Sequence, residues 1–479
     1  MRGIVFCASL STFLCWFGSS ALAQFEEEYQ PRGVYGKSDK ELLLAIDDRY
    51  EIQMKRMGWD RLGLGGKIHD ANEVVKKAFK EGKFIHDSSL NYLLEKTYRR
   101  IIAANELACS PGNLFLMKSP IINAGSFIEG SIIFTTGLLS LLDDESELAF
   151  IIAHELAHYE KNHAAIKLLS VKESNLEEET GRLLGKTLQG KVRVQRIKEI
   201  IDSNYESIRF GRQMEIEADS LAVSFIDRAG YNTKSAKSAL EKLDLREDVW
   251  PIHGNDIFSP LNTPRYPFDP LWAAERSAAF QQEPKIILFF ESDSIASHPD
   301  NTKRIEELGR DFGGLVDSDD RPRQAIKQEV RIVSQFESAL AAFESKQFDY
   351  CLYHCLRLKK QYPNNKFLST MIAQVLLGVY EARRQQLEDE YVPKWTTDYK
   401  ADLRRCNDLL HNLKDGELLD LAFHFLSYSP NFDKENESHY YLLHKICLLS
   451  HRNEVAKKIA ESYLEKFPDG EFVKSMRDR

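Results

Sequence analysis

Cysteine is sparse in this chain, with seven in 479 residues, and no two form the close-spaced ligand pairs of a zinc ribbon. Two of the seven, Cys7 and Cys15, sit in an N-terminal apolar stretch. The five that follow, Cys109, Cys351, Cys355, Cys406 and Cys447, are an odd number spread over the chain, which excludes a disulfide scaffold. Positive charge is not in excess either. A net charge of −9 argues against a nucleic-acid partner. Beyond the N-terminus no run is apolar enough to span a bilayer, so a multi-pass membrane protein is excluded. The abundance of both apolar and charged residues excludes disorder, and the length predicts two or three folded units.

What is present begins with "MRGIVFCASLSTFLCWFGSSALAQ". Arg2, the short apolar run and "ALA" before Gln24 form the pattern of a secretory signal, residues 1–23, with a mature chain starting near Gln24. A retained anchor is the competing reading. A lipoprotein at Cys15 is disfavoured by Leu14, which stands where such sites take a small residue.

The spacing predicts a helix within "YGKSDKELLLAIDDRYEIQMKRMG" and another over about Ser88 to Asn105. Between them "LGLGG" reads as a turn; Gly65, Gly66 and Lys67 lack the rest of a phosphate loop. "NLFLMKS" and "INAGSFIEGSIIFTTG" read as strands. Asp144, with Glu147 three residues on, predicts a capping box that opens a helix. A second long helical region ends at the glycine of "AGYN". Residues 250–284, rich in proline and aromatics, read as a long loop or lid. After "DDRPRQ" the chain reads as helical throughout. "QFDYCLYHCLRLKKQYPNN" aligns there with "RNEVAKKIAESYLEKFPDG" at about three times the ~34-residue tetratricopeptide period. Cys351 and Cys355 align with alanines, which assigns them to packing rather than chemistry.

The predicted fold is therefore mainly α with a small sheet: a signal at 1–23, an N-terminal helical part at 24–109, a core at 110–315 and helical repeats at 325–479.

The helix after Asp144 carries "AHELAHYEKNH". His154 and His158, four residues apart, lie on one helix face and can point both imidazoles at one ion, with Glu155 beside them. In an H-E-x-x-H arrangement the metal acidifies a water and the glutamate takes its proton. A solvated surface helix would carry similar residues. Here, however, the histidines interrupt an apolar stripe of Ile151, Ile152 and Leu156, and buried imidazoles need partners. Hydrolytic zinc takes a third protein ligand from another element. Glu215 of "EIEADSLAV" can supply it, while Asp219, one turn on, can accept the other N–H of a ligand histidine. His163 reads as structural, off the metal's side.

These residues, with "INAGSFIEGSIIFTTGLLSLLDDESELAFIIAHELAHYEKNH", "EIEAD" and "SHPDNTKRIEEL", resemble the zinc metallopeptidases grouped with HtpX and the CAAX prenyl proteases, which are gluzincins. The resemblance covers roughly residues 110 to 312. It implies one zinc per chain on His154, His158 and Glu215, with Glu155 as general base. It also implies that His298 and Arg304 lie near the open coordination position, as oxyanion helpers or, for His298, as a cap on the metal. Arg304 could instead hold the Glu215 or Asp219 carboxylate. Asn123 and Ala124 would belong to an edge strand that pairs with extended substrate.

Lacking spanning helices, the chain is similar to exported, BepA-type members that add tetratricopeptide repeats. That likeness implies a periplasmic endopeptidase acting on unfolded or misassembled polypeptides. It further implies that the repeats engage an envelope assembly complex and that peripheral membrane association is compatible. The alternative is a periplasmic chaperone or assembly factor that works through its repeats, its metal site latent.

Overall fold

The computed structural model describes residues 25–57, 65–107, 111–127, 129–164, 166, 211–244, 256–275, 301–316, 318–394 and 401–477. The N-terminal signal pattern, His298 and the ends of the 250–284 segment lie outside them. The chain divides into two compact units, one of Arg32–Leu245 and Ile287–Arg331, the other of Met1–Pro31, Arg246–Ile286 and Ile332–Arg479. Among the described residues no helix is long and apolar enough to cross a membrane.

The first unit runs α1 (Lys40–Met57), α2 (Gly65–Lys80), α3 (Ser88–Ala104), β1 (Leu114–Met117), β2 (Ala124–Ser126), β3 (Ile132–Thr135), α4 (Glu145–Glu160), α5 (211–228), α6 (Ser235–Asp244) and α7 (Asn301–Val316). Gly65 and Gly66, from the stretch that reads as a turn, begin α2, a helix the sequence reading did not assign. The sheet has the order β1-β3-β2, with β1 parallel and β2 antiparallel to the central β3. All three strands are buried throughout, and β1 and β3 read as apolar runs rather than as alternating patterns. Phe115, Met117 and Ile133 meet Val75, Phe79 and Ile46 in a core between the sheet and α1 and α2. Helices α3 and α4 also pack on the strands, α4 against β2 and β3.

Helix α4 is buried around its circumference, with Leu148 to Ala157 all buried, which makes it a central rather than a surface helix. Its start is fixed by sequence-local chemistry. Asp144 caps it by accepting from the backbone N–H of Ser146 and Glu147, at 2.8 and 3.0 Å. Glu147 accepts from the N–H of Asp143 at 2.8 Å, one residue before the position a reciprocal capping box would use. The first N–H of α4, that of Glu145, donates to the Gln324 carbonyl, and Ile326 N–H donates to Asp143, both at 2.8 Å.

The second unit holds α8 (Gln328–Glu344, most of it), α9 (Phe348–Gln361), α10 (Lys366–Arg384), α11 (Ala401–Asn412), α12 (Asp415–Ser427), α13 (Glu437–Leu449) and α14 (Asn453–Lys466). The internal similarity has a structural counterpart. Tyr362 ends α9 and Phe467 ends α14 with nearly the same backbone angles, φ −124° and ψ 70° or 66°. Lys346 and His451, which lead into these helices, both adopt positive φ. Cys351, Cys355, Ala456 and Ala460 are buried at matching positions, and both cysteines are free thiols.

Two segments distant in sequence complete this unit. Phe25 and Tyr29 are buried, Tyr29 stacking on Phe336 at 4.4 Å and donating its hydroxyl to Glu337 at 2.5 Å. Residues 256–275, the described part of what reads as a loop or lid, pack on the helices as well. Tyr266 stacks on His424 at 4.7 Å, and Asn412 donates to the carbonyls of Trp272 and Ala274.

Candidate metal centre

The buried face of α5 repeats at i, i+4 and i+8 through Met214, Ala218 and Ala222, and Glu215 and Asp219 ride beside it, both buried. This sets their carboxylates against α4. His154 Nε2 and His158 Nε2 lie 2.9 Å apart, and each is 3.4 Å from an oxygen of Glu215. His154, His158 and Glu215 form a group whose ligand atoms converge as a metal requires.

The fit to zinc follows from these distances. Ligand atoms at zinc bond lengths in tetrahedral geometry lie about 3.3 Å from one another. The separations observed, 2.9 Å between the two Nε2 atoms, 3.4 Å from His154 Nε2 to Glu215 Oε2 and 3.4 Å from His158 Nε2 to Glu215 Oε1, are of that size. Two imidazole nitrogens facing at 2.9 Å need a proton or a cation between them, and a carboxylate beside both favours the cation.

Each imidazole is held from behind. His154 Nδ1 is 2.9 Å from Asp219 Oδ1, so it donates its proton there and leaves Nε2 as a lone pair. Arg304, on α7, grips Asp219 in a two-pronged pair, Nε to Oδ2 and Nη2 to Oδ1 at 2.7 Å each, and approaches Glu215 at 3.4 Å. Burial opposes ionisation of Asp219, yet the charge and hydrogen bonds of Arg304, helped by His154, hold the carboxyl down at about 2. Arg304 thus pairs with both carboxylates, and its Nη2 also lies 3.5 Å from the His154 ring.

His158 has a partner that sequence reasoning missed. His163 Nδ1 lies 2.9 Å from His158 Nδ1, and His163 Nε2 is 3.3 Å from Glu217, which Lys161 grips at 2.6 Å. His163 is buried, and burial followed by the charge of His158 lowers its pKa to about 4, so it is neutral near pH 7. On an unbroken helix His163 would point away from the metal's side. Helix α4, however, stops at Glu160, and Asn162 takes positive φ (56°) in the position where helices commonly turn left-handed. That turn returns His163 beneath His158. "KNH" after the apolar run was the available signal, asparagine being the residue after glycine that best tolerates this conformation.

Glu155 is 3% exposed and close enough for its charge to act on both His158 and Arg304. Strand β2 lies at the sheet edge against α4. Thr135 N–H donates to the Asn123 carbonyl at 3.1 Å, and the Asn123 N–H donates to Thr135 Oγ1 at 3.1 Å. Asn123 thus spends its backbone groups on β3. By antiparallel alternation it is Ala124 and Ser126 whose backbone groups face the outer edge.

Residues 89–311 match the model of peptidase family M48. The beta-barrel assembly-enhancing protease of Escherichia coli is 23% identical over 328 residues, 67% of this chain and 65% of that protein, so the match spans less than two thirds of the relative's length. The Yersinia pestis protein of the same name is 25% identical over 182 residues, 35% of this chain and 36% of its own. The mitochondrial metalloendopeptidase OMA1 of Arabidopsis thaliana is 26% identical over 167 residues, 34% of this chain and 32% of its own. Residues 89–311, which contain the His154, His158 and Glu215 cluster, thus match peptidase family M48 and are similar to the beta-barrel assembly-enhancing proteases.

Proposed function

We propose that the chain is a zinc-dependent endopeptidase with one zinc per chain, held by His154, His158 and Glu215. The observation that carries this reading is the convergence of these three ligand atoms in a buried site with Glu155 next in sequence to His154. Bound there, zinc supplies Lewis acidity toward water and the scissile carbonyl. Glu155 accepts the proton of the attacking water and passes it to the departing amine as the C–N bond breaks, so that acid and amine products balance the water consumed. Asp219 fixes the tautomer of His154, and Arg304 positions Asp219 and Glu215. Ala124, with Ser126, offers backbone groups to an extended substrate, while Asn123 anchors that strand to β3. His298 is assigned to the open side of the metal on the family resemblance alone.

The proposal extends to compartment and clients. The N-terminal signal pattern and the names of the bacterial relatives support an exported, periplasmic enzyme that cleaves misfolded or stalled envelope proteins. The helical unit, read as tetratricopeptide-like repeats over about 325–479, would select clients or engage an assembly complex. The test is cleavage of a denatured reporter protein by the wild type and Glu155→Gln. Cutting by the wild type, with loss of at least about 1,000-fold in a variant that keeps its zinc, is expected. Equal cutting by both would overturn the assignment. If neither cuts although both hold zinc, the chaperone reading takes its place.

A further inference from the structure

We infer that His163, seated by Glu217 and Lys161, is a positioning residue for the metal ligand His158 and sets the tautomer in which it binds. The inference rests on the metal reading above and concerns a residue outside the ligand set.

The argument is one of proton accounting. His158 presents Nε2 to His154 and Glu215, so ligation through that atom requires the proton on Nδ1. Nδ1 lies 2.9 Å from Nδ1 of His163, and two ring nitrogens at that distance share one proton. The proton therefore belongs to His158, and His163 accepts it with a bare Nδ1. A neutral imidazole with a bare Nδ1 carries its own proton on Nε2, the atom that faces Glu217 at 3.3 Å. Glu217, paired with Lys161 at 2.6 Å, is an acceptor only. Each link admits one direction of donation, from His158 to His163 to Glu217. His154 and His158 are thus oriented by different devices: the first by an aspartate clamped by Arg304, the second by a histidine clamped by a glutamate. Both devices draw on α5, so the helix that supplies Glu215 also supplies Asp219 and Glu217, the acceptors behind the two imidazoles.

The test uses the full chain and zinc itself. His163→Leu keeps bulk but removes the acceptor. His163→Asn places Oδ1 near the site of the lost Nδ1 and restores it. Zinc affinity is read by chelator competition, and the site's geometry by the absorption spectrum of the cobalt-loaded protein. His163→Leu should weaken zinc binding by about 10- to 100-fold and alter the cobalt spectrum, while His163→Asn recovers most of the affinity. Nitrogen NMR of the zinc-loaded wild type should show His158 protonated at Nδ1. Wild-type affinity and an unchanged spectrum in His163→Leu would overturn the inference while leaving the metal reading intact. Equal weakening in Leu and Asn would do so too, since it marks a packing role. A wild type that takes up no zinc would overturn the metal reading first, and this one with it.

Discussion

His154 and Asp219 share a hydrogen bond of 2.9 Å between Nδ1 and Oδ1, although they sit on helices 65 residues apart in the chain and both are buried. A buried carboxylate is tolerable only where its charge is met, and here Arg304 meets it from a third helix. The His154 imidazole, the carboxylate that accepts from it and the arginine that neutralises that carboxylate thus form one chain of dependence running outward from the site.

Breaking that chain should cost fold and metal together. Asp219→Ala leaves the Arg304 guanidinium buried without its principal counter-charge, and stability should fall by about 3–5 kcal/mol in denaturant unfolding. Arg304→Lys replaces the planar fork with a single point charge. It should weaken zinc retention as well as turnover. A variant that loses only turnover, with zinc affinity and stability unchanged, would instead mark Arg304 as a transition-state donor.

Acid should weaken the helical unit through His354. Burial, followed by the nearby Arg357 charge, lowers its pKa to about 3, against about 6.5 for an unfolded chain. Above pH 6.5 the group is neutral in both states and contributes no pH dependence. Between 6.5 and about 3 the unfolded chain takes up a proton that the folded chain refuses, so stability falls by on the order of 1 kcal/mol per pH unit and levels off below. Unfolding midpoints followed by circular dichroism across this range should show a shallower acid slope in His354→Gln than in the wild type.

The N-terminal segment should act as part of the helical unit. Tyr29→Ala removes a buried ring stacked on Phe336 and a hydrogen bond to Glu337, and should lower stability by about 3–5 kcal/mol. Calorimetry of the whole chain checks this. A variant with an unmoved transition would show that the seat of Tyr29 carries no load.

Much of the architecture around the site was legible in the sequence because it rests on local chemistry. Asp144 caps α4 through its own side chain, the histidines four residues apart need only an unbroken helix, and the apolar runs at Leu114 and Ile132 can only be buried strands. Glu215 and Asp219 followed from what a buried histidine pair requires. The features that were missed depend on single backbone turns or on partners far along the chain. Asn162 reverses the expected direction of His163 with one positive φ. Phe25, Tyr29 and Trp272 carry no periodic signal, since each packs on helices lying more than a hundred residues later. Asn123 and Ala124 alternate in the direction of their backbone groups, and only the strand register tells which one faces outward.

X-ray absorption at the zinc edge of the purified chain tests the central claim most directly. Two imidazole nitrogens and oxygen ligands at about 2.0–2.2 Å are predicted, with zinc lost in Glu215→Ala. A sulfur shell near about 2.3 Å, or zinc retained in full by that variant, would place the metal elsewhere and contradict the assignment of His154, His158 and Glu215.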